Sequence, residues 1–371
     1  NKANVEQSQS DVMKIMTPKF WNLLRYVKTV DAHSSGEYYL VLLLLSLYKD
    51  RIINKTDTLD LPNIKHAFLQ LLYNANKWHF DDPVKLNTYS QVVPEYIAYV
   101  ENLEDKTISG LVHSLLDIDI DFLSDNFSEV FEDVLGYIVT STNTYPNAHI
   151  QPEELTMLIF GLADLQDEAK IYNPFAGMAS YGLCLSDSQT YYGQEVNNII
   201  YATGLLRLMA HNKHHNATLV LEDSIIHWGG DNKNYDLVVA SPPFKFRLGA
   251  DMYLGIETYR ELHEFYLGES LEILNSTGKM IGLFTAGSLS AGEKHVLSMY
   301  RSFIENDYLD MVISMPGGMF PNSGVITAIL VLNKNKQYPG KVRFVKGEHF
   351  VTEQKNKVNK LLDADLLNYI A

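Results

Sequence analysis

The stretch Asp236-Leu237-Val238-Val239-Ala240-Ser241-Pro242-Pro243-Phe244 decides the fold. Its apolar, β-branched first half reads as a strand. Two consecutive prolines then lock φ and remove two N–H donors, so the run cannot continue as a central ladder. The strand therefore presents Ser241, Pro242, Pro243 and Phe244 at one sheet edge as a stiff tip. Such a tip suits a planar amine. An exocyclic amino group on a base is a poor nucleophile because its lone pair is delocalised. Oxygens that accept its N–H bonds favour the pyramidal, reactive form, and an aromatic ring stacks on the base. Taken alone, Ser-Pro-Pro-Phe equally describes an ordinary strand-to-loop turn, because short motifs match by chance.

The residues upstream supply the context. Lys170-Ile171-Tyr172-Asn173 reads as a short strand, Pro174 to Ser180 as a tight turn of small residues, and Tyr181 to Leu185 as the opening of a helix. Small residues there let backbone N–H groups approach a ligand. A second strand, Thr190 to Glu195, ends in an acid at about the twenty-residue distance at which such folds grip ribose hydroxyls, which makes Glu195 the expected ribose ligand. A third, Ala217 to Leu221, runs into Glu222-Asp223-Ser224, where a carboxylate can accept from an adenine amino group. Singly, Glu195 and Asp223 read as solvated loop acids. Together, four consecutive strands finishing in ligand-type groups at one carboxyl edge describe an α/β, Rossmann-like parallel sheet with its site along that edge.

The order Asn173-Pro174-Phe175-Ala176-Gly177, Gly193-Gln194-Glu195, Glu222-Asp223-Ser224, Ser241-Pro242-Pro243-Phe244 resembles the amino-methyltransferases of DNA, and most of all the modification subunits of type I restriction-modification systems. Phe127 to Leu135 and His149 to Leu155 are similar to the helix and the aromatic-Thr-Pro segment that precede the family's sheet. Gly278 to Phe284, Met315 to Phe320 and Gly324 to Lys334 are similar to its later strands and the loop between them. The resemblance runs from about residue 126 to 350. It implies a site-specific, adenine-specific DNA methyltransferase that uses S-adenosylmethionine as donor and a base amine, adenine N6 first, as acceptor. By position, Asn173, Ala176 and Gly177 would line the methionine part of the cofactor, Gln151 and Pro152 its carboxylate, Glu195 its ribose, and Asp223 with Ser224 its adenine. Ser241 and the Pro242 carbonyl would accept from the target amine, and Phe244 would stack on the extruded base. No metal is required, because the sulfonium is already an activated donor.

The chain departs from the family pattern in three places. Ser241 stands where Asn or Asp is usual and has a single oxygen; Ser occurs in relatives that methylate cytosine N4, which keeps that base open as a target. Met178 and Ala179 replace small polar residues and a second Gly, and Ala resists φ > 0. His149-Ile150-Gln151 stands where an aromatic and a Thr are common. These departures describe a divergent member with weakened cofactor binding. A non-catalytic assembly subunit and a methyltransferase of protein glutamine amides are the alternative readings.

With 371 residues, 46% hydrophobic and 20% charged, the chain is long enough for two domains: residues 1–125, read as helical, and residues 126–371, read as the methyltransferase sheet. The helical reading rests on apolar stretches at Trp21 to Val27, Tyr39 to Leu47, Ile64 to Leu72 and Val93 to Val100, punctuated by Pro62, Pro83 and Pro94. The formal charge of −15 argues against a duplex grip by this chain alone, since phosphate neutralisation drives such binding. DNA is expected to be read through a specificity subunit or through a C-terminal recognition region beyond these residues, with a restriction subunit as a further partner. The chain is read as ending early, with a last helix over Leu361 to Ile370, and as starting after the true N-terminus, since residue 1 is Asn.

Cys184 is the lone cysteine, so no internal disulfide forms, as suits a reducing, cytoplasmic setting; a structural thiol is expected. The run Val41 to Leu45 falls far short of a membrane span. Asp117-Ile118-Asp119-Ile120-Asp121 lacks the glycine and distal Glu of a calcium loop and reads as a connector. His211, His214 and His215 read as an exposed helix end without acid partners at ligand spacing. Lys245 and Arg247, just past the tip, are candidates for phosphate contact, and Leu248 to Tyr259 reads as a segment that orders on binding.

Overall fold

Short runs rich in Val, Ile, Leu and Tyr form the strands, and their order sets the site. The computed structural model describes residues 36–54, 63–141, 150–231, 233–249, 259–290, 294–320, 324–353 and 359–361. Contacts group the chain into two units, Asn1–Pro146 with Asn198–His214, and Asn147–Asn197 with His215–Ala371.

The second unit holds an eight-stranded sheet: β1 Lys170–Asn173, β2 Thr190–Glu195, β3 Ala217–Leu221, β4 Tyr235–Ala240, β5 Leu274–Thr285, β6 Leu309–Ser314, β7 Thr327–Asn333 and β8 Arg343–Lys346, in the spatial order 3-2-1-4-5-7-6-8. All neighbours run parallel except β7, which is antiparallel to both β5 and β6. The order reverses between β1 and β4, where Ile171 pairs with Leu237 and Tyr172 with Val238. Loops leaving such a switch point diverge to opposite faces and leave a crevice at the carboxyl edge. Asn173 and Ser241 both line that crevice.

The sheet core is unusually aromatic. Tyr172 stacks on Tyr192 and Tyr235 at centroid distances of 6.0 and 5.0 Å. Tyr266, from the Leu262–Ile273 helix, buries its ring and donates to the carbonyls of Val238 (3.1 Å) and Ile281 (2.9 Å), so one phenol ties β4 to β5 just behind the tip. Burial without a charged partner holds the Tyr266 hydroxyl well above the usual phenol range, which keeps it a donor.

In the first unit the Gly36–Lys49 helix is apolar on all sides. Its residues Tyr39 to Leu45 are almost wholly buried, as suits a helix surrounded by others rather than a membrane segment. It packs against the helices Pro83–Asn102, Asp105–Leu116, Phe127–Ser141 and Asn198–Ala210. No helix among the described residues is long and apolar enough to cross a membrane. Pro94 does not end a helix as its sequence position suggested. It sits inside Pro83–Asn102 on an exposed face, while Val92, Val93 and Tyr96 bury the opposite one, and that packing outweighs the lost backbone bond. Asp119 serves as the N-cap of the Ile120–Asp125 helix, accepting from the N–H groups of Asp121 and Phe122. Trp21 to Val27, Pro62 and the span 362–371 lie outside the described residues, and Leu361 ends a short strand, Asn359–Leu361.

The histidines are not a free helix end. His211 Nε2 lies 3.0 Å from Glu132 Oε1, and His214 Nε2 lies 2.8 Å from Asp82 Oδ2. Glu132 also receives Arg207 in a two-point grip, with both N···O distances 2.7 Å. Burial alone would raise the Glu132 carboxyl, but hydrogen bonds from His211 and Arg207 and their charges outweigh it and hold it at about 2. Because the folded value lies below the unfolded 4.5, this stability is fully present above pH 4.5 and is lost as the pH falls toward 2. Glu132→Gln is expected to cost about 3 kcal/mol at pH 7 and to flatten that acid arm. Urea midpoints at pH 7 and pH 3 check it; an acid arm equally steep in the variant rules the pair out as its source.

Candidate active site

At the switch point a cavity of about 200 Å³ is lined by Gln151, Asn173, Phe175, Ala176, Gly177, Met178, Ser180, Tyr181, Glu195, Ser241, Pro242, Pro243, Phe244 and Phe320. A larger groove of about 1050 Å³ lies at the opposite, amino ends of the strands, between Asp236, Lys279, Asp310 and Arg343, and holds none of the expected groups. Chemistry rather than size identifies the site: the smaller cavity collects nine of the residues expected from β1, β2, β4 and the preceding helix start, while Pro152, Asp223 and Ser224 do not line it.

Asn173 closes β1 and is 1% exposed. Its amide nitrogen donates to Tyr191 Oη at 3.1 Å, while its Oδ1 is buried with no partner. An orphaned acceptor in a cavity wall asks for a donor from a ligand. Gly177 has φ +54, and a Cβ built there would meet nothing within 4 Å, so the chain leaves room at that point. Glu195 ends β2 and accepts from the N–H of Gly177 (3.0 Å) and of Asn197 (2.7 Å). Burial raises its carboxyl above the ordinary range, against the pull of those backbone N–H groups. The turn between them differs from expectation in one respect. No α-helix opens at Tyr181; Ala179 takes a left-handed conformation (φ 57) and a five-residue 3₁₀ segment, Ser180–Cys184, follows before Leu185 turns extended. Ala179 thus adopts the backbone that Gly would favour, and the cavity stays open beside Met178.

Asp223 Oδ1 accepts from the Ile225 N–H at 2.9 Å, closing a local turn after β3. Glu222 is engaged by Gln194 (2.8 Å), His227 (2.6 Å) and Tyr192 (3.3 Å). Two large apolar side chains on these same loops were not singled out by sequence: Val196 and Ile226 are 71% and 76% exposed. Val196 directly follows Glu195, and Ile226 stands three residues after Asp223, so nearness to a strand-end acid is the signal that could have found them.

The tip keeps the expected form. Ser241 Oγ donates to Gln151 Oε1 and lies 3.1 Å from Tyr181 Oη. Burial pushes the Tyr181 phenol up to about 12, so it stays protonated. Phe244 meets Phe320 edge-on, with centroids 5.9 Å apart and planes at 82°. Phe320 is a site residue that sequence placed only within a loop. Lys245 (φ 57) and Arg247 are exposed beyond the tip, and residues 250–258 lie outside the described residues.

An orphaned acceptor, an open glycine, a half-buried carboxylate and a stiff proline tip leave a lining that fits S-adenosylmethionine, and Asn173, Gly177 and Glu195 are the residues that could hold it. A family model described as N-6 DNA Methylase matches residues 123–370. The chain is 22% identical over 267 residues to the type I restriction enzyme MpnII methylase subunit of Mycoplasma pneumoniae, covering 62% of this chain and 48% of that protein. It is 25% identical over 278 residues to the MjaVIII methylase subunit of Methanocaldococcus jannaschii, covering 65% and 48%; it thus spans about half the length of these relatives. The methyltransferase subunit of a type I restriction-modification system from Streptococcus thermophilus has a similar fold, with TM-score 0.67 at 16% identity over 98% of this chain and 92% of that one. The matched blocks and the strand-end groups agree, and the chain belongs to the N-6 DNA methylase family.

Proposed function

We propose that this chain is the S-adenosylmethionine-dependent methyltransferase subunit of a type I-like restriction-modification system, acting on an exocyclic amine of a DNA base, adenine N6 first. One observation carries the reading: Asn173, Gly177, Glu195 and the Ser241–Phe244 tip, drawn from three strand ends, line a single cavity. The family match over residues 123–370 supports a boundary near residue 125, with the catalytic part from 126 to 371.

Bound S-adenosylmethionine supplies a methyl group already activated by its sulfonium. Asn173, with Ala176 and Gly177, would take the methionine part, and Gln151 and Pro152, ahead of the Glu153–Leu162 helix, would flank its carboxylate. Glu195 would accept from the ribose. Asp223 and Ser224 would take the adenine, and Val196 and Ile226 are exposed apolar side chains on the same loops. Ser241 Oγ and the Pro242 carbonyl would accept from the N–H bonds of the target amine and so favour the pyramidal nitrogen that can take up a methyl group, one amine proton then passing to solvent. A base stacked on Phe244 would meet Phe320 by its edge, given the 82° between the rings. The charge of −15 supports a division of labour in which a specificity subunit or recognition region grips DNA, with a restriction subunit as a further partner.

Calorimetric titration of the purified chain with S-adenosylmethionine tests the reading. Saturable one-to-one binding is expected. No heat of binding, from a chain whose circular dichroism shows it folded, would overturn it.

A further inference from the structure

A hydroxyl at position 241 has an ambiguity that a carbonyl oxygen lacks. It carries one proton and two lone pairs and rotates to suit its neighbours. Toward an amine about to act as nucleophile only the acceptor state helps, because a proton aimed at the nitrogen would occupy the lone pair that must attack. What sets that state lies behind Ser241.

The Pro152 carbonyl can only accept. It receives the Thr156 N–H at 3.0 Å and the Thr156 hydroxyl at 3.1 Å. With its single proton spent there, Thr156 Oγ1 is left to accept, and Gln151 Nε2 donates to it at 3.0 Å. The other amide proton of Gln151 points to Tyr181 Oη at 3.1 Å. The amide is thereby turned with its oxygen toward Ser241, whose hydroxyl donates to it. Tyr181 Oη, 3.1 Å from Ser241 Oγ and 3.2 Å from Gln151 Oε1, has one proton to give; whichever it chooses, at least one lone pair of Ser241 remains for the cavity. Gln151, Thr156 and Tyr181 are 7%, 3% and 3% exposed, so water does not compete for these bonds.

We propose that Thr156 and Gln151 are positioning residues for methyl transfer, a directional relay that starts at the Pro152 carbonyl and holds the Ser241 hydroxyl as an acceptor toward the target amine. Neither residue touches the amine; both act through Ser241. This inference rests on the methyl-transfer reading above.

The test uses the assembled complex, purified from its own cells through a tag on this chain, with labelled S-adenosylmethionine and unmethylated DNA. Thr156→Val keeps the shape and deletes the hydroxyl; Thr156→Ser keeps the hydroxyl. For Thr156→Val, and likewise for Gln151→Leu, kcat is expected to fall about tenfold, the worth of one misdirected hydrogen bond. For Thr156→Val, whose side chain does not line the cavity, the calorimetric Kd for S-adenosylmethionine stays within about twofold, and Thr156→Ser stays near the wild-type rate. Three results overturn the relay while leaving methyl transfer standing: Thr156→Val at full rate, Val and Ser variants equally slow, or a Kd that rises in step with the lost rate. A wild-type complex that binds the cofactor and transfers no methyl overturns the reading beneath it, and the relay with it.

Discussion

Replacing Ser241 with Ala is expected to slow methyl transfer by about 10²- to 10³-fold, with little change in the affinity for S-adenosylmethionine. Ser241 Oγ sits at the end of β4 between Gln151 and Tyr181, at the wall of the cavity where a target amine would enter. Its removal takes away one of two oxygens available to the amine and leaves the Pro242 carbonyl alone to favour the reactive geometry. In a partly buried site no bulk water replaces the lost acceptor on equal terms. Ala is smaller and fits without strain, so folding and cofactor binding serve as internal controls. Methyl groups incorporated into DNA by the assembled complex report the rate. A rate equal to wild type would remove Ser241 from the mechanism.

Glu195→Ala is expected to weaken S-adenosylmethionine binding by roughly 30- to 150-fold, the 2 to 3 kcal/mol of a charge-assisted hydrogen bond. The carboxylate has a second function, since it accepts from the N–H groups of Gly177 and Asn197 and so braces the turn that shapes the cavity. Glu195→Gln retains one oxygen and most of the shape, and a smaller loss is expected of it. The pH dependence separates charge from shape. Burial raises the carboxyl above its ordinary 4.5, so in the wild type affinity is full above the raised value and declines as the pH falls through it, sooner than an exposed Glu would allow. The Gln variant should lack that decline. Titrations at three pH values give both answers, and a Kd for Glu195→Ala equal to wild type would exclude Glu195 as a ligand.

Much of this site is legible in the chain because strands are local. Runs such as Leu237 to Ala240 declare themselves by composition, and Asn173, Glu195 and Ser241 stand one residue beyond or at the end of such runs. A parallel sheet then brings all those ends to one edge whatever the lengths of the connections. The turn after β1 was less legible: Pro174 to Ser180 reads as loop, but only packing decides that Ala179 turns left-handed and that Ser180–Cys184 winds as 3₁₀.

By itself, then, the sequence determined the parallel part of the sheet from β1 to β4, the order of its chemical groups and the stiff tip at Ser241-Pro242-Pro243-Phe244, because those depend on neighbours within a few positions. The tertiary structure alone decided the partners. Gln151 and Ser241 are 90 residues apart and Tyr181 and Ser241 60, and Phe320 reaches Phe244 from a distant loop. Glu132 and Asp82 supply the acids that spacing around His211 and His214 does not show. Hydrogen bonds between such residues depend on where two elements come to rest, a property of the packed core that no local pattern of side chains records.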